Sequence, residues 1–292
     1  NTDSDHYLTL LTDPLQATFL AQGVTSIIGG QCGASLAPLL YGSLASIRAW
    51  GDPYGVNIGW HSVSECFGRL RARGLGVNFG TLVGHATVRQ ALIGSAARDL
   101  TVRELSVFAH IIREAMREGA LGLSTGLGYP HSRGVPFGEL QALIRVIAPF
   151  HGVYTTHLRN ETDRVASAVA EAVALARETG VTTIVTHYRP IVGFERGFTE
   201  GLDLISAAHG SVPVWFNGYP ADTSLVPIST LLPQWAQAEA PADMARALDA
   251  SEFRTRIARE LPALRGDELR VFHASHAPYL DGKTIGSCAV NR

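Results

Sequence analysis

The chain has 292 residues, of which 46% are hydrophobic and 17% are charged, and its formal net charge is −2 at pH 7. This composition predicts a globular fold with a sizeable core and excludes a disordered chain, and the scattered charges indicate neither a nucleic-acid nor a membrane surface. No apolar run approaches the roughly 18 residues that a membrane span needs. The three cysteines are too few for a disulfide framework, so we expect a reducing, cytoplasmic location.

Predicted strands and helices alternate along most of the chain. Short runs rich in Val, Ile and Thr predict buried parallel strands, at residues 24–28, 75–82, 120–124, 152–156, 181–186 and 212–217. Amphipathic helices are predicted between them. The spacings of Ser62 to Glu65 and of Thr101 to Glu104 match the capping box, which marks a helix start. Two further helices are predicted at residues 136–150 and 162–179.

The alternation predicts parallel βα units in a closed barrel or in an open doubly wound sheet. No glycine-rich phosphate loop follows the first strand, which disfavours a dinucleotide fold. Polar residues follow several different strands, which favours the barrel because all its strand ends converge on one mouth. At about residues 220–270 the alternation of strands and helices stops, and we predict an inserted helical excursion there. We therefore predict one α/β domain over residues 1–292, a TIM-type (β/α)8 barrel with about seven of its eight strands.

Three potential metal ligands follow three of the predicted strands. Cys32 lies in GGQCGAS, His157 in YTTHLRNE and His187 in VTHYRP. A cysteine between glycines is most often a small core residue, and polar residues at a strand end are often helix caps. However, two histidines after consecutive barrel strands come within reach of one metal, and a thiolate with two imidazoles suits zinc with an open position for water. The three residues predict a zinc site of the kind that hydrolases use.

Other polar residues carry weaker signals. His85 follows the strand at 75–82, where lining the mouth and a structural role are equally good interpretations. Tyr129 lies in the segment STGLGYP and could face a substrate, although a plain turn explains the glycines. Arg189 could hold a carboxylate through paired hydrogen bonds, with a surface salt bridge as the plain alternative. Asp3, in NTDSDH, is a weak metal candidate.

Six motifs resemble the N-acyl-D-amino-acid deacylase (D-aminoacylase) branch of the metal-dependent amidohydrolases, in the family's order and over essentially the whole chain. The motifs are GVTSIIGGQCGASLAPL, VNFGTLVGHATVR, REGALGLSTGLGYP, YTTHLRNE, VTHYRP and YPADTSLVPISTLLPQWA. The resemblance implies a (β/α)8 barrel with a small β-domain, and zinc-dependent hydrolysis of the amide bond of N-acyl amino acids. The family's tight zinc ligands match Cys32, His157 and His187.

The same resemblance implies a substrate pocket lined by Tyr129, Arg189, Tyr219 and Ser224. The arginine stands where the family commonly has lysine. A planar guanidinium still holds a carboxylate, but with a different geometry, so we expect a reshaped pocket. The implied partner is a small N-acyl amino acid of D configuration.

Two departures from the family pattern limit what the resemblance implies. The family's first strand carries His-x-His, which contributes to a second, weaker metal position, whereas Asn1 and Asp3 stand there in this chain. We therefore expect one tight Zn2+ site and no strong second one. The family's catalytic aspartate follows the last strand in a Gly-Ser-Asp-like motif, and none occurs before Arg292. We expect a piece of a longer protein, with little or no turnover by this chain alone.

Three other functions stay open at this stage. A non-catalytic or repurposed metal-binding barrel agrees with the absent His-x-His. A thiol hydrolase would use Cys32 as its nucleophile with a nearby histidine. Another amidohydrolase activity, such as that of a hydantoinase-like cyclic amidase, agrees less well with the cysteine motif.

Overall fold

The computed structural model describes residues 8–42, 46, 56, 58–94, 96, 98–191, 193–218, 232–233, 235–236, 244, 246–260, 269–271 and 277–290. The described residues up to 218 belong to one compact unit, and those from 232 onward belong to a second. The predicted excursion at about 220–270 falls largely outside the described residues and stays a prediction, as does the single domain over 1–292.

The first unit alternates strands with helices in the predicted order. Its strands are β1 Ser26–Gly29, β2 Asn78–Thr81, β3 Val83–Gly84, β4 Gly122–Gly126, β5 Val153–His157, β6 Thr182–Val185 and β7 Val214–Phe216. Its helices are α1 Thr9–Thr12, α2 Ala17–Ala21, α3 Val63–Arg73, α4 His85–Ile93, α5 Val102–Arg117, α6 Phe137–Ile147, α7 Val165–Thr179 and α8 Glu195–Ala208. Each of the six predicted strand runs contains or overlaps one of these strands.

All pairings between these strands are parallel. Strand β1 pairs with β2, and β3 to β7 form a five-stranded sheet in sequence order. Only Leu82 separates β2 from β3, and its amide N–H donates to the Gly29 carbonyl at 3.1 Å. The Leu121 N–H donates to the Thr81 carbonyl at 2.9 Å, so backbone hydrogen bonds connect the two sheets. The predicted α/β class with parallel strands is confirmed, and closure into a barrel stays a prediction.

Local hydrogen bonds explain where two of the long helices begin. The Ser62 hydroxyl accepts the Glu65 N–H at 3.2 Å, and the Glu65 carboxylate accepts the Ser62 N–H at 3.3 Å. Thr101 and Glu104 make the same reciprocal pair at the start of α5. Each cap stabilises its helix by about 1 kcal/mol, because it satisfies amides that lack an intrahelical partner. Both predicted capping boxes are confirmed.

Two apolar clusters hold the helices against the strands. Phe108 of α5 and Leu140 of α6 are fully buried in the larger cluster, while Val169 of α7 and Ile205 of α8 belong to the second. The helices cover the sides of the strands. The polar residues at or just after the ends of β1, β5 and β6 therefore lie at the edge formed by the carboxyl ends of the strands, which is where ligands bind in parallel sheets.

The second unit contains α9 Ser251–Glu260, α10 Ile285–Val290 and an antiparallel bridge between Arg270 and Thr284. The Trp235 indole N–H donates to the Glu260 carboxylate at 2.6 Å, and the Arg256 guanidinium lies 3.8 Å from the centroid of the Trp235 ring. Across both units, none of the described helices is long and apolar enough to cross a bilayer.

Candidate metal centre

Three strand ends bring Cys32, His157 and His187 together. One ligand atom from each residue lies within 4.8 Å of the other two. The Cys32 Sγ is 3.6 Å from the His187 Nε2, and the His157 Nδ1 is 2.9 Å from the same nitrogen. Among the described residues, this is the one group of three or more His, Cys, Asp or Glu side chains with such spacing. The structure therefore brings together the trio that the sequence singles out.

A buried hydroxyl of the neighbouring strand holds the loop that carries Cys32. The Ser124 Oγ of β4 accepts the Gly33 N–H at 3.1 Å and donates to the Gly30 carbonyl. The Cys32 backbone has a φ of 52°, in the left-handed region. Gly30 also has a positive φ, and a Cβ there would lie 2.2 Å from the Leu82 carbonyl oxygen. The tight turn thus needs its glycine and places the thiol beside the ends of β5 and β6.

Strand register and one amide side chain position the two histidines. His157 is the last residue of β5 and pairs with Gly126 of β4. His187 follows β6 and has a φ of 40°, and its N–H donates to the Asn217 Oδ1 at 2.8 Å. The adjacent Thr186 donates its N–H and its hydroxyl to the Thr156 carbonyl at 3.0 and 3.1 Å. These bonds hold the two strand ends that carry the histidines.

The donor set and its spacing fit a tetrahedral zinc ion. Zinc lies about 2.3 Å from sulfur and about 2.0 Å from nitrogen, so tetrahedral angles separate sulfur from nitrogen by about 3.5 Å and two nitrogens by about 3.3 Å. The corresponding distances here are 3.6 Å and 2.9 Å. A shift of about 0.4 Å would bring the two histidine nitrogens to the tetrahedral spacing, and the third pair of ligand atoms, from Cys32 and His157, lies within 4.8 Å. A thiolate with two imidazoles favours zinc over magnesium or calcium, which prefer oxygen ligands.

The electrostatics of the trio favour a thiolate. Burial alone raises the pKa of the Cys32 thiol, but hydrogen bonds and charges from His157 and His187 outweigh it and lower the pKa to about 6. Burial lowers the pKa of His187, but its bonds to Cys32 and Glu161 raise that pKa to about 10. Near neutral pH the centre therefore holds a thiolate beside a protonated imidazole. A metal ion would take the place of that proton.

Comparisons with known proteins point to one enzyme family, although no family model matches the chain. The D-aminoacylase of Alcaligenes xylosoxydans xylosoxydans is 32% identical over 224 residues, which cover 75% of this chain and 45% of the enzyme. The N-acyl-D-glutamate deacylase of Bordetella bronchiseptica, solved with zinc and a phosphonate mimic of the tetrahedral intermediate, has a TM-score of 0.74 at 27% identity. That alignment covers 97% of this chain and 54% of that one.

The chain is a homologue of the N-acyl-D-amino-acid deacylases. The resemblance predicted from its motifs is thereby confirmed. A solved D-aminoacylase described as having a binuclear metal centre also matches, with a TM-score of 0.69 and 31% identity over 76% of this chain and 46% of that one. The chain spans about half the length of the curated relatives it matches.

Two of the four predicted pocket residues of the deacylase homologue lie beside the trio. The Tyr129 ring is 4.6 Å from the His157 ring, centroid to centroid. The Arg189 Nη1 donates to the His187 carbonyl at 3.0 Å. Tyr219 and Ser224 lie outside the described residues, as do Asn1 and Asp3. The roles of all these residues in binding substrate or metal stay predictions.

Glu161 belongs to the site but was not among the residues predicted for it. Its Oε1 lies 3.0 Å from the His187 Nδ1, and its Oε2 lies 3.6 Å from the His157 Nε2. Burial raises its pKa, but the charges of His157 and His187 and a hydrogen bond from His187 outweigh that and lower the pKa to about 2. The only sequence signal was the density of polar residues in HLRNE.

The contacts of His85 indicate a structural role. It is fully buried, and its Nε2 lies 2.9 Å from the Glu139 Oε1. The Arg89 Nε donates to the same oxygen at 3.0 Å. This buried network, an Arg89–Glu139 ion pair with His85 hydrogen-bonded to it, favours the structural interpretation of His85 over a place in the mouth.

Proposed function

We propose that the protein to which this chain belongs is a zinc-dependent amidohydrolase that cleaves the amide bond of N-acyl-D-amino acids. The products are a carboxylate and a free amino acid. The single observation that carries the proposal is the convergence of Cys32, His157 and His187 at zinc-ligand spacing in a homologue of the deacylases. The sequential order of the parallel strands supports the (β/α)8 barrel that we propose for the intact fold.

The trio would hold one tight zinc ion through the Cys32 thiolate and two neutral imidazoles. When bound, zinc supplies Lewis acidity that activates water and the acyl carbonyl. A strong second metal site is not part of the proposal, because Asn1 and Asp3 replace the two histidines expected for it.

The substrate would lie between Tyr129 and Arg189. The Tyr129 ring packs against His157 and would supply one wall of the pocket. The Arg189 guanidinium, whose Nη1 lies 3.6 Å from the Glu161 Oε1, would hold the substrate carboxylate through its planar fork. Tyr219 and Ser224 join this pocket on the family resemblance alone. The same resemblance assigns proton transfer to an aspartate of a Gly-Ser-Asp-like motif, and no such motif occurs in residues 1–292, so the proposal names no residue for this step.

Zinc stoichiometry tests the metal centre. We expect about one zinc per chain for the wild type after dialysis, and an affinity at least about 100-fold lower for Cys32→Ser. Cys66→Ser is the matched control, because Cys66 is also a buried cysteine but lies in the apolar cluster on α3. Equal zinc binding by wild type and Cys32→Ser would refute the assignment.

A thiol hydrolase is the second candidate, since the geometry also suits a nucleophilic cysteine. The Cys32 thiol faces His187, whose other ring nitrogen contacts Glu161, so the three form a Cys-His-Glu relay. Alkylation by iodoacetamide separates the two functions. Excess zinc should protect Cys32 if it is a metal ligand and should leave it reactive if it is a free nucleophile. For the deacylase proposal we expect protection.

A further inference from the structure

Glu161 faces the outer side of both histidines of the candidate metal centre. The His187 Nε2 and the His157 Nδ1 approach each other inside the trio at 2.9 Å. The opposite ring nitrogens point to the two oxygens of Glu161, the His187 Nδ1 at 3.0 Å and the His157 Nε2 at 3.6 Å. Glu161 therefore contacts the nitrogens that would not bind the metal.

A carboxylate in this position decides which ring nitrogen carries the proton. A neutral imidazole has one N–H and one lone pair, and an acceptor beside the Nδ1 holds the proton there. For His187, the Glu161 Oε1 lies nearer to the Nδ1, at 3.0 Å, than the Arg189 Nη1 does, at 3.3 Å. The proton therefore stays on the Nδ1, and the Nε2 lone pair is directed into the trio. Such outer carboxylates orient metal-binding histidines and increase their basicity, and their loss commonly lowers metal affinity 10- to 100-fold.

Hydrogen bonds also fix the backbone next to Glu161. The Asn160 Oδ1 accepts the N–H groups of Thr162 and Arg164, each at 2.9 Å, which fixes the turn before α7. The Arg189 Nη1 lies 3.6 Å from the Glu161 Oε1 and supplies a compensating positive charge. A carboxylate with a fixed backbone and a cationic neighbour is suited to holding the two rings in one orientation.

We propose that Glu161 is a positioning residue that fixes the zinc-binding tautomer of His187 and holds His157 and His187 in the orientations that bind zinc. It acts through the histidines and is not itself a ligand, since its oxygens contact the ring nitrogens on the outer side of the trio. The inference rests on the proposed function, because it assigns Glu161 to the same metal centre.

The test compares zinc affinities measured by competition with a chromophoric chelator. Glu161→Gln should raise the zinc Kd about 10- to 100-fold. The matched control is Glu171→Gln, which removes a carboxylate of similar side-chain exposure, 20% against 23%, that pairs with Arg159 instead of with the trio. We expect Glu171→Gln to bind zinc within about threefold of the wild type, because Glu171 does not contact the trio.

A second readout separates positioning from a general loss of structure. In the zinc-loaded protein, the nitrogen-15 signal of the His187 Nδ1–H should show a hydrogen bond to a carboxylate in the wild type and a weaker hydrogen bond in Glu161→Gln. Glu161→Asp keeps the charge and should recover part of the affinity. Wild-type affinity in Glu161→Gln, or an equal loss in Glu171→Gln, overturns the inference while the zinc site stands. Absence of zinc binding by the wild type, or full binding by Cys32→Ser, overturns the proposed function and this inference with it.

Discussion

Replacing Ser124 by alanine should weaken the candidate metal centre without touching any of its three ligands. The Ser124 hydroxyl accepts the Gly33 N–H at 3.1 Å and donates to the Gly30 carbonyl, so it connects β4 to both sides of the loop that carries Cys32. Ser124 is fully buried, so water cannot replace the lost hydroxyl without rearrangement.

The magnitude follows from the two hydrogen bonds. Removing the acceptor of a buried amide costs about 1–3 kcal/mol, and the lost bond to the carbonyl adds about 0.5–1.5 kcal/mol. We therefore expect the free energy of unfolding to fall by about 1.5–4.5 kcal/mol in urea titrations. Because the loop also positions the thiol, the zinc affinity should fall about tenfold or more, as for other residues that orient a metal ligand.

Thr125→Val is the matched control for this prediction. Thr125 is the next residue of β4 and is fully buried, but its side chain points to the other face, where it bonds to the Tyr154 hydroxyl at 2.7 Å and to the Thr156 hydroxyl at 3.0 Å. The control should lose comparable stability and keep its zinc affinity. If both variants bind zinc equally well, the loop does not depend on Ser124 and the reasoning is refuted.

Two further predictions concern charge. Glu139→Gln should lower the free energy of unfolding by about 3 kcal/mol in urea titrations, because Arg89 then keeps a buried charge without its partner. His85 and Arg89 outweigh burial and lower the pKa of Glu139, so its stabilisation is present above the unfolded-state pKa and is lost as the pH falls through the folded-state pKa. A wild-type stability in Glu139→Gln would contradict this. In the zinc-free protein, alkylation of Cys32 should rise with pH and reach half its maximum near pH 6, whereas a midpoint near 9.0 would contradict the lowered pKa.

Features that depend on residues close together in the sequence were predicted correctly. The capping boxes at Ser62 and Thr101 depend on residues three positions apart, so the pattern contains the whole interaction. The strand runs depend on a few β-branched residues and were also found, although the break at Leu82 between β2 and β3 was not predicted. Nothing in the run 75–82 shows that its last residue bonds to β1 while the next two residues pair with β4.

The three residues of the trio could be predicted from the sequence because each follows or ends a predicted parallel strand. Once Cys32, His157 and His187 are assigned to strand ends, parallel pairing places all three at the carboxyl ends of the strands, and the predicted barrel would bring these ends together at one mouth. Glu161 and Ser124 could not be found in this way. Glu161 bonds to a histidine 26 positions later, and Ser124 bonds to a loop more than 90 positions earlier. Their partners depend on the path of a turn and on the face of a strand, which a single sequence leaves open.

The backbone conformation at two of the three residues indicates that the fold holds the trio in place. Cys32 and His187 both have positive φ, at 52° and 40°, although neither is glycine. Each such conformation costs of the order of 1–3 kcal/mol and persists only where the surroundings hold it. Here the holding groups are identified, because Ser124 fixes the loop of Cys32 and Asn217 fixes the amide of His187. Positive φ alone does not mark a site, since Leu8, Gln16, Tyr41 and His151 also have it. The identified hydrogen bonds at Cys32 and His187 are what support a trio held in place by the fold.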